Sequence, residues 1–264
     1  MATRAERARS FGAIADDYDR LRPGPPREAV DWLLPAHCQV AVDVGAGTGL
    51  LTRLLASRAA RVIAVEPDER MRAVLRARSP GVSVLEGTGE AIPLPDASAD
   101  GVFVSSAWHW MDPELALPEI ARVLRDGGRL GLIWAGRDRH VDWVRDIGRL
   151  AAAAHAGEAS PENSAGRRRS LGGREVVLPE TAAFSNVATR SFEFSRVMSA
   201  DDIVDMLATY SGIITASPDD RAAALSSARA ELRRRFPDRS EIEVPMRAWC
   251  WRADRLARES AAAS

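Results

Sequence analysis

A glycine-rich turn at residues 45–49 constrains the fold of this chain more strongly than any other feature. The apolar run at 40–44 leads into three glycines over five residues, and leucines then recur at helical spacing. This pattern predicts a strand, a tight turn and a helix. Because glycine has no Cβ, a ligand can approach the backbone of the turn closely, and the amides at the helix start favour an electron-rich group.

A second apolar strand is predicted at 61–65, and it ends at Glu66. Glu66 lies about 20 residues beyond the first glycine, where doubly wound α/β folds place an acid against ribose hydroxyls. These two elements predict a cofactor that carries a nucleoside. A dinucleotide would require a small residue where this chain has Leu50, so the pyrophosphate-binding pattern is incomplete.

Residues 43–49 (DVGAGTG) resemble the first motif of class I S-adenosylmethionine-dependent methyltransferases, and residues 65–68 (VEPD) resemble the second. The resemblance implies an α/β fold: a Rossmann-like, doubly wound sheet of seven strands with the last strand antiparallel. It also implies S-adenosyl-L-methionine as the cofactor. The positions within these motifs that we expect to bind the cofactor are Asp43, Gly45, Ala46, Gly47, Gly49, Glu66 and Pro67.

Two later loops, each after a predicted strand, extend this resemblance. The loop at 86–96 resembles the segment over the adenine edge, although Thr88 stands where many relatives carry aspartate. The loop at 105–113 resembles the Q-A-W/F-H-W segment of the trans-aconitate methyltransferase-like group, with Ser106 in place of glutamine. The cofactor-binding residues expected in the two loops are Thr88, Gly89, Glu90, Ser105 and Ser106.

The second loop also contains the candidates for the transfer site. Trp108 and Trp110, with Trp134 at the end of the fifth predicted strand, would form the wall of a substrate pocket, since aromatic faces attract a sulfonium. The alternative for the two loop tryptophans is packing in the core. His109 is the candidate general base, and its alternative is a histidine with a packing role only.

The N-terminal segment at 4–20 is predicted to be a helix with Phe11, Ile14 and Tyr18 on one face. Together with Arg22 it resembles the "F…YD…RP" opening of the same group. The resemblance implies a lid in which Tyr18 and Arg22 lie near the methionine moiety, with Arg22 pairing with its carboxylate. The alternative is a helix that packs its aromatic stripe onto the main domain.

These features divide the chain into five predicted segments. They are a helical lid (1–38), an S-adenosylmethionine-binding core (39–135), a helical and loop cap insertion after the fifth strand (136–186), a C-terminal completion of the sheet (187–252) and a tail (253–264). The insertion contains three adjacent arginines at 167–169, which either attract an anionic substrate or lie on a solvated loop.

Composition excludes several functional classes. A formal net charge of −1 disfavours a chain built to bind nucleic acid. Cys38 and Cys250 are isolated, so neither a metal site nor a disulfide framework is predicted. The chain begins without a secretory signal and contains no apolar run of membrane-spanning length. We therefore expect a cytoplasmic protein without a membrane partner; oligomeric state cannot be predicted.

The sequence thus predicts methyl transfer from S-adenosylmethionine to the oxygen, nitrogen or carbon atom of a small molecule. A non-catalytic S-adenosylmethionine-binding partner protein is one alternative. An NAD-dependent oxidoreductase is another, disfavoured by Leu50 and by the absence of a Tyr-x-x-x-Lys pair from a chain without lysine.

Overall fold

The structure is a computed structural model that describes residues 14–152, 176, 178–179, 182–214 and 216–257. The predictions for Phe11, for the start of the N-terminal helix and for the arginines at 167–169 lie outside the described residues.

Seven strands form one sheet, as the sequence predicts. They are β1 (Val40–Val44), β2 (Arg61–Val65), β3 (Ser83–Leu85), β4 (Ala99–Ser105), β5 (Leu124–Arg137), β6 (Phe184–Met198) and β7 (Ile242–Arg255). Their order in the sheet is β3-β2-β1-β4-β5-β7-β6. The pairs from β3 to β5 are parallel, and the last strand is antiparallel. This topology confirms the predicted Rossmann-like α/β class.

Helices connect most consecutive strands, whereas a loop joins β3 to β4. They are α1 (Ala15–Leu21), α2 (Arg27–Leu33), α3 (Leu50–Ala56), α4 (Glu69–Arg78), α5 (Pro113–Val123), α6 (Asp142–Ala152), α7 (Ala200–Ala208), α8 (Ser211–Ile214) and α9 (Pro218–Arg235). A short 3₁₀ helix spans Trp108–Trp110. Side-chain caps fix several helix starts, because Asp68 accepts from the Arg70 amide at 2.8 Å and Ser199 accepts from the Asp202 amide at 3.0 Å.

The described residues form two compact units, each with its own apolar core. The first, here called the glycine-turn unit, lies within Gly24–Trp134, Val176–Phe192 and Ala248–Ser264. The second, here called the helical unit, lies within Met1–Pro23, Ala135–Glu175 and Glu193–Arg247. Strands β5, β6 and β7 contribute residues to both units.

The glycine-turn unit holds the parallel part of the sheet. The four residues at the end of β1 are fully buried, Asp43 among them, because helices cover both faces of a parallel sheet. The sequence predicts a helix-end signal at 126–128 (DGG) and a fifth strand from Arg129 to Trp134. In the structure β5 begins at Leu124, five residues earlier. Residues 126–128 lie in a bulge of the β4–β5 pairing, where Gly127 adopts φ +73°.

The helical unit is built mainly from helices. α9 packs against α6 and α7, and α1 packs against α7. Apolar residues at every second position from Ile242 to Cys250 predict a closing strand with one buried face. Strand β7 confirms this, because buried and less buried residues alternate along it from Ile242 onward.

Among the described residues, no helix combines the length and the apolar character needed to cross a membrane. The same residues contain no group of histidine, cysteine and acidic side chains arranged for a metal ion.

Candidate functional site

The glycine turn follows β1 in the glycine-turn unit and has the backbone conformation that glycine permits. Gly45, Gly47 and Gly49 have φ values of +67°, +56° and +88°. A Cβ on Gly45 would lie 2.6 Å from the Cβ of Ala107, whereas a Cβ on Gly47 would meet nothing within 4 Å. Packing therefore requires glycine at position 45, whereas Gly47 faces open space where a ligand can approach the backbone.

Glu66 joins the glycine turn to the end of β2. Its Oε2 accepts from the Gly47 amide at 2.8 Å, and its Oε1 accepts from the Asp68 amide at 2.9 Å. Burial raises the pKa of Glu66, which is 7% exposed, while hydrogen bonds from the two amides oppose that rise. The two predicted motifs thus meet through one carboxylate.

Asp43 lies behind the turn and is completely buried. Its Oδ2 accepts from the Thr52 hydroxyl at 2.6 Å, whereas its Oδ1 has no hydrogen-bond donor within the described part of the chain. Burial raises the pKa of Asp43 to about 7, the hydrogen bond from Thr52 opposes this, and the charge of Glu66 adds to it. A buried oxygen without a donor marks a place where a ligand donor would be favourable.

The predicted adenine loop folds back on itself. The backbone groups of Thr88 and Ala91 exchange two hydrogen bonds of 3.3 Å each, with the Thr88 side chain exposed and Gly89 buried. A Cβ on Gly89 would lie 2.5 Å from the sulfur of Met111, so a larger residue there would require the Met111 side chain to move. The Glu90 carboxylate accepts from the Asp112 amide at 2.7 Å, which ties this loop to the loop after β4.

The loop after β4 begins with Ser105 and Ser106, both partly buried. Ser106 adopts φ +55°, an uncommon conformation for a residue other than glycine, and its amide donates to the Ile133 carbonyl at 2.8 Å. Such strain is found preferentially at ligand-binding positions.

The remaining predicted cofactor residues lie in the first two motifs. Ala46 donates its amide to the Val65 carbonyl at 3.2 Å, and Pro67 is exposed.

The three tryptophans and His109 have different environments. Trp108, which is 6% exposed, and Trp134 both belong to the core of the glycine-turn unit. Trp110 is partly buried, and its ring lies 4.6 Å from the ring of the exposed His109. The 3₁₀ turn therefore directs neighbouring aromatic rings to different surroundings, and His109 is reachable from solvent.

Tyr18 lies in the middle of α1 in the helical unit, and Arg22 directly follows this helix. The Arg22 guanidinium carbon lies 5.1 Å from the centre of the Tyr18 ring. Their predicted contact with the methionine moiety stays a prediction.

Two residues that sequence reasoning missed support the site in the glycine-turn unit. Thr52 is the donor to Asp43, and Met111 is the side chain against which Gly45 and Gly89 pack. Thr52 carries no local signal, because a threonine in a helix usually has no functional role. Met111 follows the aromatic segment of the loop after β4, but a methionine at this position does not indicate which glycines its side chain contacts.

Comparison with known proteins shows to which family the chain is similar. A family described as a methyltransferase domain matches residues 42–132, the part of the chain that contains the glycine turn and Glu66. A methyltransferase of Mycobacterium tuberculosis, itself uncharacterized, is 41% identical over 227 residues, which cover 86% of this chain and 87% of that protein. A methyltransferase-like protein of Schizosaccharomyces pombe is 37% identical over 147 residues, 54% of this chain and 57% of that protein.

A solved structure from Anaeromyxobacter dehalogenans, provisionally designated a type II methyltransferase, is similar over most of the chain. The two are 25% identical, the match covers 90% of this chain and 99% of that one, and the TM-score is 0.70. The similarity therefore extends beyond the cofactor motifs to the whole arrangement of strands and helices.

Proposed function

The chain belongs to the class I S-adenosylmethionine-dependent methyltransferases, and on that basis we propose that it binds S-adenosyl-L-methionine and methylates a small-molecule acceptor. The observation that carries the proposal is the 2.8 Å hydrogen bond between Glu66 and the Gly47 amide. The acid expected to bind the ribose thus lies beside Gly47, the glycine of the turn at which an added Cβ would meet nothing within 4 Å.

The residues present fit this cofactor. Glu66 keeps lone pairs that would accept hydrogen bonds from ribose hydroxyls, because in the described part of the chain each carboxylate oxygen accepts from a single backbone amide. The donor-free Oδ1 of Asp43 suits a positively charged or hydrogen-bonding group. The amide of Gly89 and the side chain of Thr88 would form hydrogen bonds with the edge of the adenine.

When bound, S-adenosylmethionine supplies a methyl group activated by a positively charged sulfur. The protein's task is to hold an acceptor atom in line with that methyl and to exclude water. A carboxylate acceptor needs no base. For an alcohol or amine acceptor, an imidazole nitrogen of His109 would take the proton.

A small-molecule acceptor is supported by the charge of the chain. A net charge of −1 gives no electrostatic basis for binding a polyanion such as RNA. The acceptor atom is oxygen, nitrogen or carbon, since a cofactor motif does not specify acceptor chemistry.

Calorimetric titration with S-adenosylhomocysteine, with NAD in parallel, tests the cofactor. We expect binding of S-adenosylhomocysteine only, and a loss of affinity of about 100-fold in Glu66→Ala, since two or more hydrogen bonds to a charged group are removed. Glu69→Ala is the matched control, because Glu69 is an exposed acid three residues further on. NAD binding without S-adenosylhomocysteine binding would refute the proposal.

Turnover is tested separately, by mass-spectrometric detection of S-adenosylhomocysteine formed in the presence of acids, alcohols and amines. Formation of S-adenosylhomocysteine with one class of acceptor, and not with the others, would support the proposed methyltransferase activity. Tight cofactor binding without turnover over the whole panel would favour the alternative of a non-catalytic cofactor-binding partner.

A further inference from the structure

One charged residue lies among the buried side chains of helix α4 in the glycine-turn unit. The buried residues of this helix are Met71, Arg72 and Leu75, and Arg72 is 4% exposed. Burial of a guanidinium costs free energy unless hydrogen bonds compensate it. A methionine or leucine would fill the same face of the helix without that cost, so packing alone does not explain an arginine at this position.

The Arg72 guanidinium joins two segments that follow neighbouring strands. Its Nη1 donates to the Glu66 carbonyl at 2.7 Å, directly after β2. Its Nη2 donates to the Glu86 carboxylate at 2.9 Å, directly after β3. Because the N–H donors of arginine form a planar fork, one side chain reaches both acceptors in a fixed geometry. Arg72 thus connects the acid predicted to bind the ribose with the first residue of the predicted adenine loop.

The two strand ends that Arg72 joins lie side by side. Strands β2 and β3 are parallel with Val65 opposite Leu85, and the Glu66 amide donates to the Leu85 carbonyl at 3.1 Å. A Cβ on Gly87 would lie 2.9 Å from a side-chain carbon of Val65, so the adenine loop leaves β3 in close contact with β2. The Glu66 segment and the start of the adenine loop are therefore neighbours, as the binding of one nucleoside by both requires.

Arg72 holds the backbone of Glu66 and leaves its carboxylate to other partners. The bond from Arg72 is buried and goes to the main-chain carbonyl, whereas the carboxylate oxygens accept from the amides of Gly47 and Asp68. A contact of this kind fixes the point from which the Glu66 side chain projects, without occupying the lone pairs that face a ligand.

The acids bound to Arg72 contribute little to stability, because both are exposed. The side chain of Glu86 is 76% exposed and that of Glu69 is 66% exposed. Ion pairs with exposed acids are screened by solvent and contribute at most about 1 kcal/mol each. The pair with Glu69 lies within α4, three residues apart, so it joins no separate segments. The bond to Glu86 is the one that links α4 to the adenine loop.

We propose that Arg72 is a positioning residue for the cofactor: by bridging the Glu66 carbonyl and the Glu86 carboxylate, it sets the distance between the ribose-binding acid and the adenine loop. An adenosine group that binds both segments gains affinity when their separation is fixed before binding. Arg72 acts through Glu66 and Glu86 and does not itself touch the ligand. This inference rests on the proposed function, and it implies that Arg72 determines how much the ribose hydroxyls contribute to affinity.

The experiment compares adenosine with 2′,3′-dideoxyadenosine, which lacks both ribose hydroxyls. Each competes with S-adenosylhomocysteine in calorimetric titrations of the wild type and of Arg72→Met. We expect the wild type to prefer adenosine about 30-fold, since the hydroxyls donate to the Glu66 carboxylate. In Arg72→Met the preference should fall to about threefold, because adenine bound to its loop no longer places the ribose against Glu66. If both affinities fall by the same factor and the preference persists, Arg72 has a structural role only and the proposal is wrong.

Glu86→Ala and Glu69→Ala form a matched pair, because each removes an exposed acid bound to the same guanidinium. Glu86→Ala removes the link to the adenine loop and should reduce the adenosine preference about threefold. Glu69→Ala should keep the wild-type preference. Both positions are exposed, so both variants should fold even if Arg72→Met does not. Equal preferences in the two variants would contradict the bridge.

Two further variants separate the bridge from the charge. Arg72→Lys keeps the positive charge but lacks the fork that reaches both acceptors, so its adenosine preference should be as low as that of Arg72→Met. Arg76→Met removes an arginine of the same helix that binds Glu69 at 3.0 Å, and it should keep the wild-type preference. A full wild-type preference in Arg72→Lys would overturn the proposal in favour of a charge effect.

Binding of S-adenosylhomocysteine to the wild type separates the failure of this inference from the failure of the proposed function. If S-adenosylhomocysteine binds and Arg72→Met keeps the adenosine preference, only the role of Arg72 is wrong. If it binds and the wild type itself shows no preference for adenosine, the ribose contact that Arg72 would position is missing, and the inference is again wrong. If S-adenosylhomocysteine does not bind, the proposed function fails.

Discussion

The carboxylates of the glycine-turn unit and the guanidinium groups of the helical unit are both buried charges, but their partners differ. Each oxygen of the Glu66 carboxylate accepts from a backbone amide, which offsets part of the cost of its burial. Arg137 has two donor nitrogens without acceptors among the described residues. The fold therefore supplies partners to the buried carboxylate of Glu66 that it does not supply to these two nitrogens of Arg137.

This contrast indicates different tasks for the two regions. A carboxylate held by the backbone has a fixed position and so suits a cofactor that is always the same molecule. Guanidinium nitrogens without acceptors favour whichever anion fits beside them. The predictions below test whether the two regions differ in this way.

The largest effect is expected from Gly45→Ala. Its φ of +67° and the 2.6 Å approach to Ala107 add strain and overpacking, and together they should lower the free energy of unfolding by about 3 kcal/mol. Gly47→Ala has a similar φ but open space, so only the strain remains, about 1 kcal/mol. Urea unfolding measures the free energy of unfolding of both variants. Equal losses in the two variants would show that packing against Ala107 does not require glycine at position 45.

Next in size are two opposite changes in stability. Glu66→Ala leaves the amides of Gly47 and Asp68 without their acceptor and should cost about 2 kcal/mol. Arg137→Met removes an uncompensated charge and should leave stability unchanged or raise it by about 1 kcal/mol. Both are measured by urea unfolding without ligand. A larger loss in Arg137→Met than in Glu66→Ala would contradict the comparison.

The last comparison concerns the pH dependence of stability. Burial raises the pKa of Asp43 to about 7, above its value in the unfolded chain, so the folded state binds more protons between these pKa values. Stability contributed by protonated Asp43 is therefore present at low pH and lost as pH rises toward 7, with a slope of up to about 1.4 kcal/mol per pH unit.

Asp43→Asn tests this slope, because an amide does not titrate and still accepts from Thr52. We expect a flatter profile of unfolding free energy between pH 5 and about 7 than in the wild type. Asp68→Asn is a useful control, since hydrogen bonds from Arg70 outweigh burial and lower the pKa of Asp68. An unchanged profile in Asp43→Asn would show that Asp43 is ionised throughout.

Much of the fold could be predicted from the sequence, because its signals are local. The alternation of apolar strands and amphipathic helices predicts the sheet. Ser199 and Ser217, each followed by two aspartates, predict two helix starts from the sequence alone, and the structure confirms both through the hydrogen bonds that the serine hydroxyls accept. The early start of β5 could not be predicted, since the bulge at Gly127 depends on pairing with β4, which is distant in the chain.

The sequence by itself determined the glycine turn, the acid that follows β2 and hence the family, because those residues lie close together and their conformation depends on residue type. Only the tertiary structure decided that Thr52 binds Asp43, that Met111 packs against Gly45 and Gly89, and that Arg22, Arg137 and Tyr210 meet. The physical reason is that burial and electrostatic contact depend on distance in space, and the last three residues belong to separate segments brought together by folding.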